Sequence, residues 1–167
     1  MQTILQYTLF IVFAAITLGS ALLVVTRRNV FHAALFLILS FFGVAGLYVL
    51  LEAPFLAAVQ LFIYVGGIAV LIIFAIMLTR DLMDHDSPGA ISQWWAAALV
   101  MVGLCAVLVW MVFTHDWGTA AGPVPDDTIA ILGRALVDPQ GMVLPFELAS
   151  ILLVVTLVGA VTIARQR

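Results

Sequence analysis

The sequence has 167 residues, of which 65% are hydrophobic and only 9% are charged. Soluble domains carry about 25% charged residues, so this composition excludes an ordinary soluble protein and indicates an integral membrane protein. The formal net charge is −3, and no block of basic residues indicates nucleic acid as a partner. The single cysteine excludes a disulfide framework, and the three histidines lack the spacing of metal ligands.

The chain begins with two apolar runs, 4–26 and 30–51, each long enough to cross a bilayer as a helix. A short Arg-Arg-Asn connection separates them. In the first run, Ala15 and Gly19 form a small-xxx-small pair, which indicates helix packing. Pro54 ends the second run, because proline removes a backbone donor and disfavours helix at the residue before it.

The third run, residues 55–78, carries no charge and predicts a third membrane-spanning helix. In an α-helix Gln60, Tyr64 and Gly67 share one face, with Gly66 beside them. The opposite face is apolar and is predicted to contact lipid; it consists of Phe62, Val65, Ala69 and Ile76.

The glycine pair at Gly66 and Gly67 is unusual for a helix interior. Each glycine costs about 1 kcal/mol relative to alanine. The pair therefore predicts either close packing by a neighbouring helix or a helix that must deform at this point.

The second half of the chain predicts two further spans, over about 94–113 and 145–164, with an acidic loop at residues 81–90 before them. Between these spans lies an extramembrane loop, residues 114–144. Within that loop, residues 127–137 predict a short amphipathic helix on the membrane surface or on a partner, with Asp127 as its N-cap. Its apolar face consists of Ile129, Leu132 and Leu136.

Five spans make one membrane domain over residues 1–167, with the two termini on opposite sides. One side then holds five arginines, Arg27, Arg28, Arg80, Arg165 and Arg167, and the other holds only Arg134. The positive-inside rule predicts that the five-arginine side is cytoplasmic and that the N-terminus is outside.

Ionisable residues are missing from the middle of every predicted span. Pumps and ion transporters need such groups at depth, because those groups carry the proton or ion. The sequence also contains no phosphate-binding loop, dinucleotide motif, or haem or metal ligand set. The chain can therefore line or gate a path, but it needs partners to form a complete pump.

Three blocks in this order, RNVFHAALFL, YVGGIAVLIIF and LPFELASILL, resemble the J subunit of bacterial NADH–quinone oxidoreductase. That subunit is similar to the mitochondrially encoded subunit 6 of complex I. The resemblance covers nearly the whole chain. It implies a subunit of the bacterial inner membrane that has no active site or cofactor of its own, within a complex that uses NADH, FMN, iron–sulfur clusters and quinone in other subunits.

The resemblance also implies a π-bulge beside Tyr64 in the third helix and a gated water path along it. In this family the bulge is thought to link quinone reduction to proton translocation as it interconverts with regular helix. Carried over to this chain, the gating and water-path residues are Gln60, Tyr64, Val65, Gly66 and Gly67. Some members have a glutamate where this chain has Gln60. An amide cannot carry a proton as a glutamate does, so the resemblance implies at most a role in ordering water at this position.

The partners that the resemblance implies are the other membrane subunits of the complex: a small subunit with buried glutamates, the antiporter-like subunits and the quinone-site subunit. Two alternatives remain open from the residues. One is the homologous subunit of a multi-subunit cation/proton antiporter or membrane-bound hydrogenase. The other is a purely structural scaffold subunit, in which the glycine pair serves packing alone.

Overall fold

The computed structural model describes residues 2–79, 94–116, 118 and 127–165, and every regular element in these ranges is a helix. The elements are α1 (Gln2–Thr26), α2 (Val30–Leu50), α3 (Pro54–Val59), a π-helix (Gln60–Ala69), α4 (Val70–Leu78), α5 (Trp94–Thr114), α6 (Thr128–Val137) and α7 (Val143–Arg165). The acidic loop and Trp117 lie outside the described residues.

Five helices in the described ranges are long and apolar enough to cross a membrane. They are α1, α2, the continuous helix Pro54–Leu78 that α3, the π-helix and α4 form together, α5 and α7. We call Pro54–Leu78 the third span. The predicted five-span, all-helical class is confirmed, and each predicted boundary is correct to within two residues. The orientation of the termini stays a prediction.

The residues cluster into two compact units, Met1–Ala120 and Ala121–Arg167, which we describe separately. The prediction of a single membrane domain stays a prediction. In the first unit α2 is the central element, because it packs against α1 and against all three segments of the third span. The buried residues of α2 are small: Ala34, Ser40, Gly43 and Ala45.

Small residues allow α1 and α2 to approach closely. A Cβ at Gly43 would overlap the Thr17 hydroxyl and lie 3.1 Å from the Thr17 backbone nitrogen. A Cβ at Gly46 would overlap the ring of Phe13. In contrast, Ala15 and Gly19 are exposed, and a Cβ at Gly19 would meet no atom within 4 Å. The described helices of this chain therefore do not pack against Ala15 and Gly19, and the α1–α2 contact lies elsewhere on α1. Packing of this pair against another helix stays a prediction.

Hydroxyl groups line the same contact. Ser40 donates a hydrogen bond across the helices to the Thr17 carbonyl, at 3.3 Å. Thr17 and Ser20 instead donate to carbonyls of their own helix, those of Phe13 and Ile16. Such back-bonding satisfies a hydroxyl that has no water nearby, so the α1–α2 contact can be both polar and dry.

The termini of α2 are defined by hydrogen bonds. Asn29 is the N-cap, and its side-chain oxygen accepts from the Phe31 and His32 amides at 3.0 and 3.2 Å. At the other end, Glu52 donates to Val49 and Ala53 donates to Tyr48, the 5→2 and 6→1 pattern that ends many helices. Glu52 has a φ of 55°, in the left-handed region where glycine is preferred.

The second unit contains α6 and α7, which pack against each other. The predicted amphipathic helix is confirmed as α6, although Asp127 makes no side-chain capping bond. Gly141 lies in the turn to α7, where a Cβ would be 3.1 Å from the Ala135 carbonyl. Placement of α6 on a membrane surface or a partner stays a prediction.

We expect Gly43→Ala to destabilise the subunit, because its methyl group would overlap Thr17 and overpacking costs about 1–3 kcal/mol. The matched control is Gly19→Ala in the exposed part of α1, which should be neutral or stabilising by up to about 1 kcal/mol. The measurement is the thermal denaturation midpoint of the assembled complex that contains the subunit. Equal midpoints for the two variants would contradict the assigned α1–α2 contact.

Candidate functional site

The third span contains a ten-residue π-helix, Gln60–Ala69, between two α-helical segments. A π-helix bonds residue i to residue i+5, is rare, and occurs mostly as a single-turn bulge, frequently at a functional site. The prediction of π-type structure in the third helix is therefore confirmed. The segment is longer than the bulge expected beside Tyr64 alone, and it includes all five predicted site residues.

Two polar side chains of the π-helix contact α2. Gln60 is only 7% exposed, and its Nε2 donates a long hydrogen bond of 3.5 Å to the Phe41 carbonyl of α2. The ring of Tyr64 packs edge-on against the ring of Phe41, with centroids 5.6 Å apart and an interplanar angle of 73°. Phe41 thus contacts both polar residues of the predicted stripe.

Phe41 is the functional candidate that sequence reasoning missed. It lies within the apolar run of α2, and nothing in its type or spacing distinguishes it from the phenylalanine beside it. Only the packing of α2 on the third span identifies it. Tyr64 remains 42% exposed, so its other side is open within the described part of the chain.

The glycine pair has no close helix neighbour in the described residues. A Cβ at Gly66 would meet only the Leu61 carbonyl oxygen, at 3.4 Å, and one at Gly67 would meet only the Phe62 carbonyl oxygen, at 3.8 Å. Both carbonyls belong to the same π-helix, five residues earlier. Close packing by a helix of this chain therefore does not account for the pair, in contrast to Gly43.

The predicted lipid face of the third span is partly wrong. Phe62 is 80% exposed and Val65 is half-buried, but Ala69 is only 1% exposed and Ile76 is also buried. The prediction assumed the α-helical period along the whole span. A π-helix uses more residues per turn than an α-helix, so the residues at its end and beyond it lie at other angles around the helix axis than the α-helical period gives. The segment after the π-helix, α4, packs against α2.

No group of three or more His, Cys, Asp or Glu side chains that could hold a metal ion occurs in the described ranges. The third span itself has no ionisable side chain other than Tyr64. The site can therefore present a hydroxyl and an amide group, which order water or pair with a neighbour, but it cannot supply a side-chain carboxylate or amine.

Residues 20–163 match the family described as NADH-ubiquinone/plastoquinone oxidoreductase chain 6. The chain belongs to this family. It is 43% identical over 166 residues to the NAD(P)H-quinone oxidoreductase chain 6 of Leptolyngbya boryana, with 96% of this chain and 80% of that protein covered. It is 39% identical to the Synechocystis sp. protein of the same name, with 96% and 81% covered.

A third similarity is to the F(420)H(2) dehydrogenase subunit J of Methanosarcina mazei, at 38% identity with 96% of this chain and 92% of that protein covered. The chain 6 family match includes the whole of α2 and the third span, and therefore the π-helix and Phe41. The resemblance that the sequence blocks indicated is confirmed. The gating roles of Gln60, Tyr64, Val65, Gly66 and Gly67 stay predictions.

We expect Tyr64→Phe to leave subunit stability nearly unchanged, because the ring contact with Phe41 is kept and hydrogen bonds in membrane bundles average about 0.6 kcal/mol. Tyr64→Leu should cost more, since an aromatic pair contributes about 0.5–1.5 kcal/mol beyond its buried area. The two variants are compared by thermal denaturation of the assembled complex. If Tyr64→Phe lowers the denaturation midpoint more than Tyr64→Leu does, the hydroxyl and not the ring contact holds this side chain in place.

Proposed function

We propose that this chain is a membrane-arm subunit of a proton-pumping quinone oxidoreductase, and that its third span couples quinone reduction to proton translocation. The observation that carries the proposal is the ten-residue π-helix with an unobstructed glycine pair. It is supported by the family of the chain and by the five apolar helices.

The coupling element is the change between π-helical and α-helical hydrogen bonding in Gln60–Ala69. Both forms keep backbone groups paired inside the helix, as a bilayer demands. Conversion to α-helix changes the number of residues per turn, so α4 must rotate relative to α3. Gly66 and Gly67 lower the barrier because no Cβ has to move past the carbonyls of Leu61 and Phe62.

Protons cross this region on water, with side chains of other subunits as carriers. Gln60 and Tyr64 supply an amide and a hydroxyl beside the segment that changes, and they order water in one of its two forms. The small subunit with buried glutamates, the antiporter-like subunits and the quinone-site subunit are the partners. NADH, FMN, iron–sulfur clusters and quinone bind in other subunits of the complex, which lies in the bacterial inner membrane.

The relatives of this chain are named for different electron donors. Two proteins named for NAD(P)H are 43% and 39% identical to it, and one named for F(420)H(2) is 38% identical. A membrane subunit that occurs in both kinds of enzyme fits a role in coupling, away from the site at which the electron donor binds. The same relatives favour an oxidoreductase subunit over the antiporter alternative.

Gly66→Val tests the coupling role. Its branched side chain would crowd the Leu61 carbonyl in the π form, and β-branching restricts χ1 against the preceding turn. A bias of about 1.4 kcal/mol between the two forms changes their ratio tenfold, so quinone reduction and proton pumping should both fall by about that factor. Both rates are measured in vesicles that contain the assembled complex.

The matched control is Gly103→Val in α5, where a Cβ would meet nothing within 4 Å. This variant should pump at the parent rate. If the Gly66→Val complex assembles normally and also pumps at the parent rate, the scaffold alternative is correct and the gate lies elsewhere.

A further inference from the structure

The turn between α1 and α2 contains a basic cavity that the coupling role does not use. Its volume is about 570 Å³, and it is lined by Thr26, Arg27, Arg28, Asn29, His32 and Phe36. We call it the α1–α2 cavity. Two consecutive arginines line it, and none of its lining residues carries a carboxylate.

Local contacts hold the polar groups of this cavity in place. The Arg27 guanidinium lies over the ring of Phe36, 5.6 Å from its centroid, which keeps the charge at the edge of α2. The Thr26 hydroxyl donates to the Leu22 carbonyl of its own helix at 2.8 Å. Asn29 accepts from the first free amides of α2. The groups left to bind a ligand are therefore Arg27, Arg28 and His32.

The charge of these groups favours an anion. Arginine presents several N–H donors in a planar fork that matches phosphate. The positive end of the α2 dipole lies at the same turn and adds to the attraction. A carboxylate or phosphate oxygen would satisfy both effects.

The position of the cavity identifies the source of the anion. Thr26 ends α1 and Val30 begins α2, so the cavity lies where two membrane-spanning helices emerge into the headgroup layer. About one helical turn from its lining residues, Leu22 of α1 is 63% exposed and Leu35 of α2 is 45% exposed. A basic cavity with exposed apolar side chains one turn away matches a phosphate headgroup that continues into acyl chains.

We propose that the α1–α2 cavity binds the phosphodiester headgroup of an anionic phospholipid. Arg27 and Arg28 contact the phosphate, His32 contacts the headgroup beside it, and the acyl chains lie along Leu22 and Leu35. Basic pockets between membrane helices bind anionic headgroups by this chemistry. The bound lipid fixes the turn at which α2 begins. Because α2 packs against the third span, the lipid thereby also fixes that contact.

The test replaces Leu35 by a photoreactive phenylalanine analogue in the assembled complex, in nanodiscs with equal amounts of phosphatidylglycerol and phosphatidylcholine. After illumination, mass spectrometry of the peptide identifies the captured molecule. We expect phosphatidylglycerol to be captured in preference by about tenfold, because each arginine near a membrane surface favours anionic lipid. Arg27→Gln/Arg28→Gln should bring the two lipids to equal capture.

Two variants complete the design. Arg165→Gln removes one positive charge at the end of α7, which contributes no residue to the cavity lining, and should leave the preference unchanged. Arg27→Lys/Arg28→Lys keeps the charge needed for insertion but loses the planar fork, so the preference should fall without disappearing. This variant keeps the proposal testable if the double glutamine variant does not assemble.

Three results would overturn the proposal. The first is equal capture of the two lipids by the parent complex. The second is capture of a neighbouring subunit in place of a lipid, which would assign the arginines to a protein partner. The third is loss of the preference when millimolar inorganic phosphate is added, which would make free phosphate the ligand.

Discussion

Backbone hydrogen bonding inside a bilayer is the constraint on which this structure depends. No water in the hydrocarbon layer can pair an exposed N–H or C=O group, so a spanning segment must satisfy its own backbone. The third span meets this demand with two kinds of helix in one continuous rod, α-helical at both ends and π-helical over Gln60–Ala69. A change of register inside the membrane is then possible without breaking the helix.

The contacts that α2 makes with α1 differ from those that it makes with the third span. On the α1 side, Gly43 and Gly46 lie so close to Thr17 and Phe13 that no Cβ fits. On the side of the third span, one long hydrogen bond and one aromatic pair join Phe41 to Gln60 and Tyr64. In the proposed coupling, these weak contacts break and form again, while the α1–α2 pair serves as the support.

The sequence predicted those features that depend on length and composition. Apolar runs long enough to cross a bilayer predicted the five helices. The π-type structure near Tyr64 was implied by the family resemblance, and the glycine pair alone predicted only close packing or a deformed helix. Packing was predicted poorly, because it depends on the relative rotation of the helices. The α-helical period placed Ala69 and Ile76 on a lipid face, whereas both residues are buried. No feature of the sequence distinguished Phe41, because it is one of several phenylalanines in an apolar helix.

The central claim is that Gln60–Ala69 has two hydrogen-bonding states during turnover. The most direct test is cryo-electron microscopy of the assembled complex in the resting state and during quinone reduction, at a resolution that shows backbone carbonyls. Our account predicts i→i+5 bonds in this segment in one state and i→i+4 bonds in the other, with α4 rotated between them about its own axis. The same bonding pattern in both states, with α4 unrotated, would contradict it.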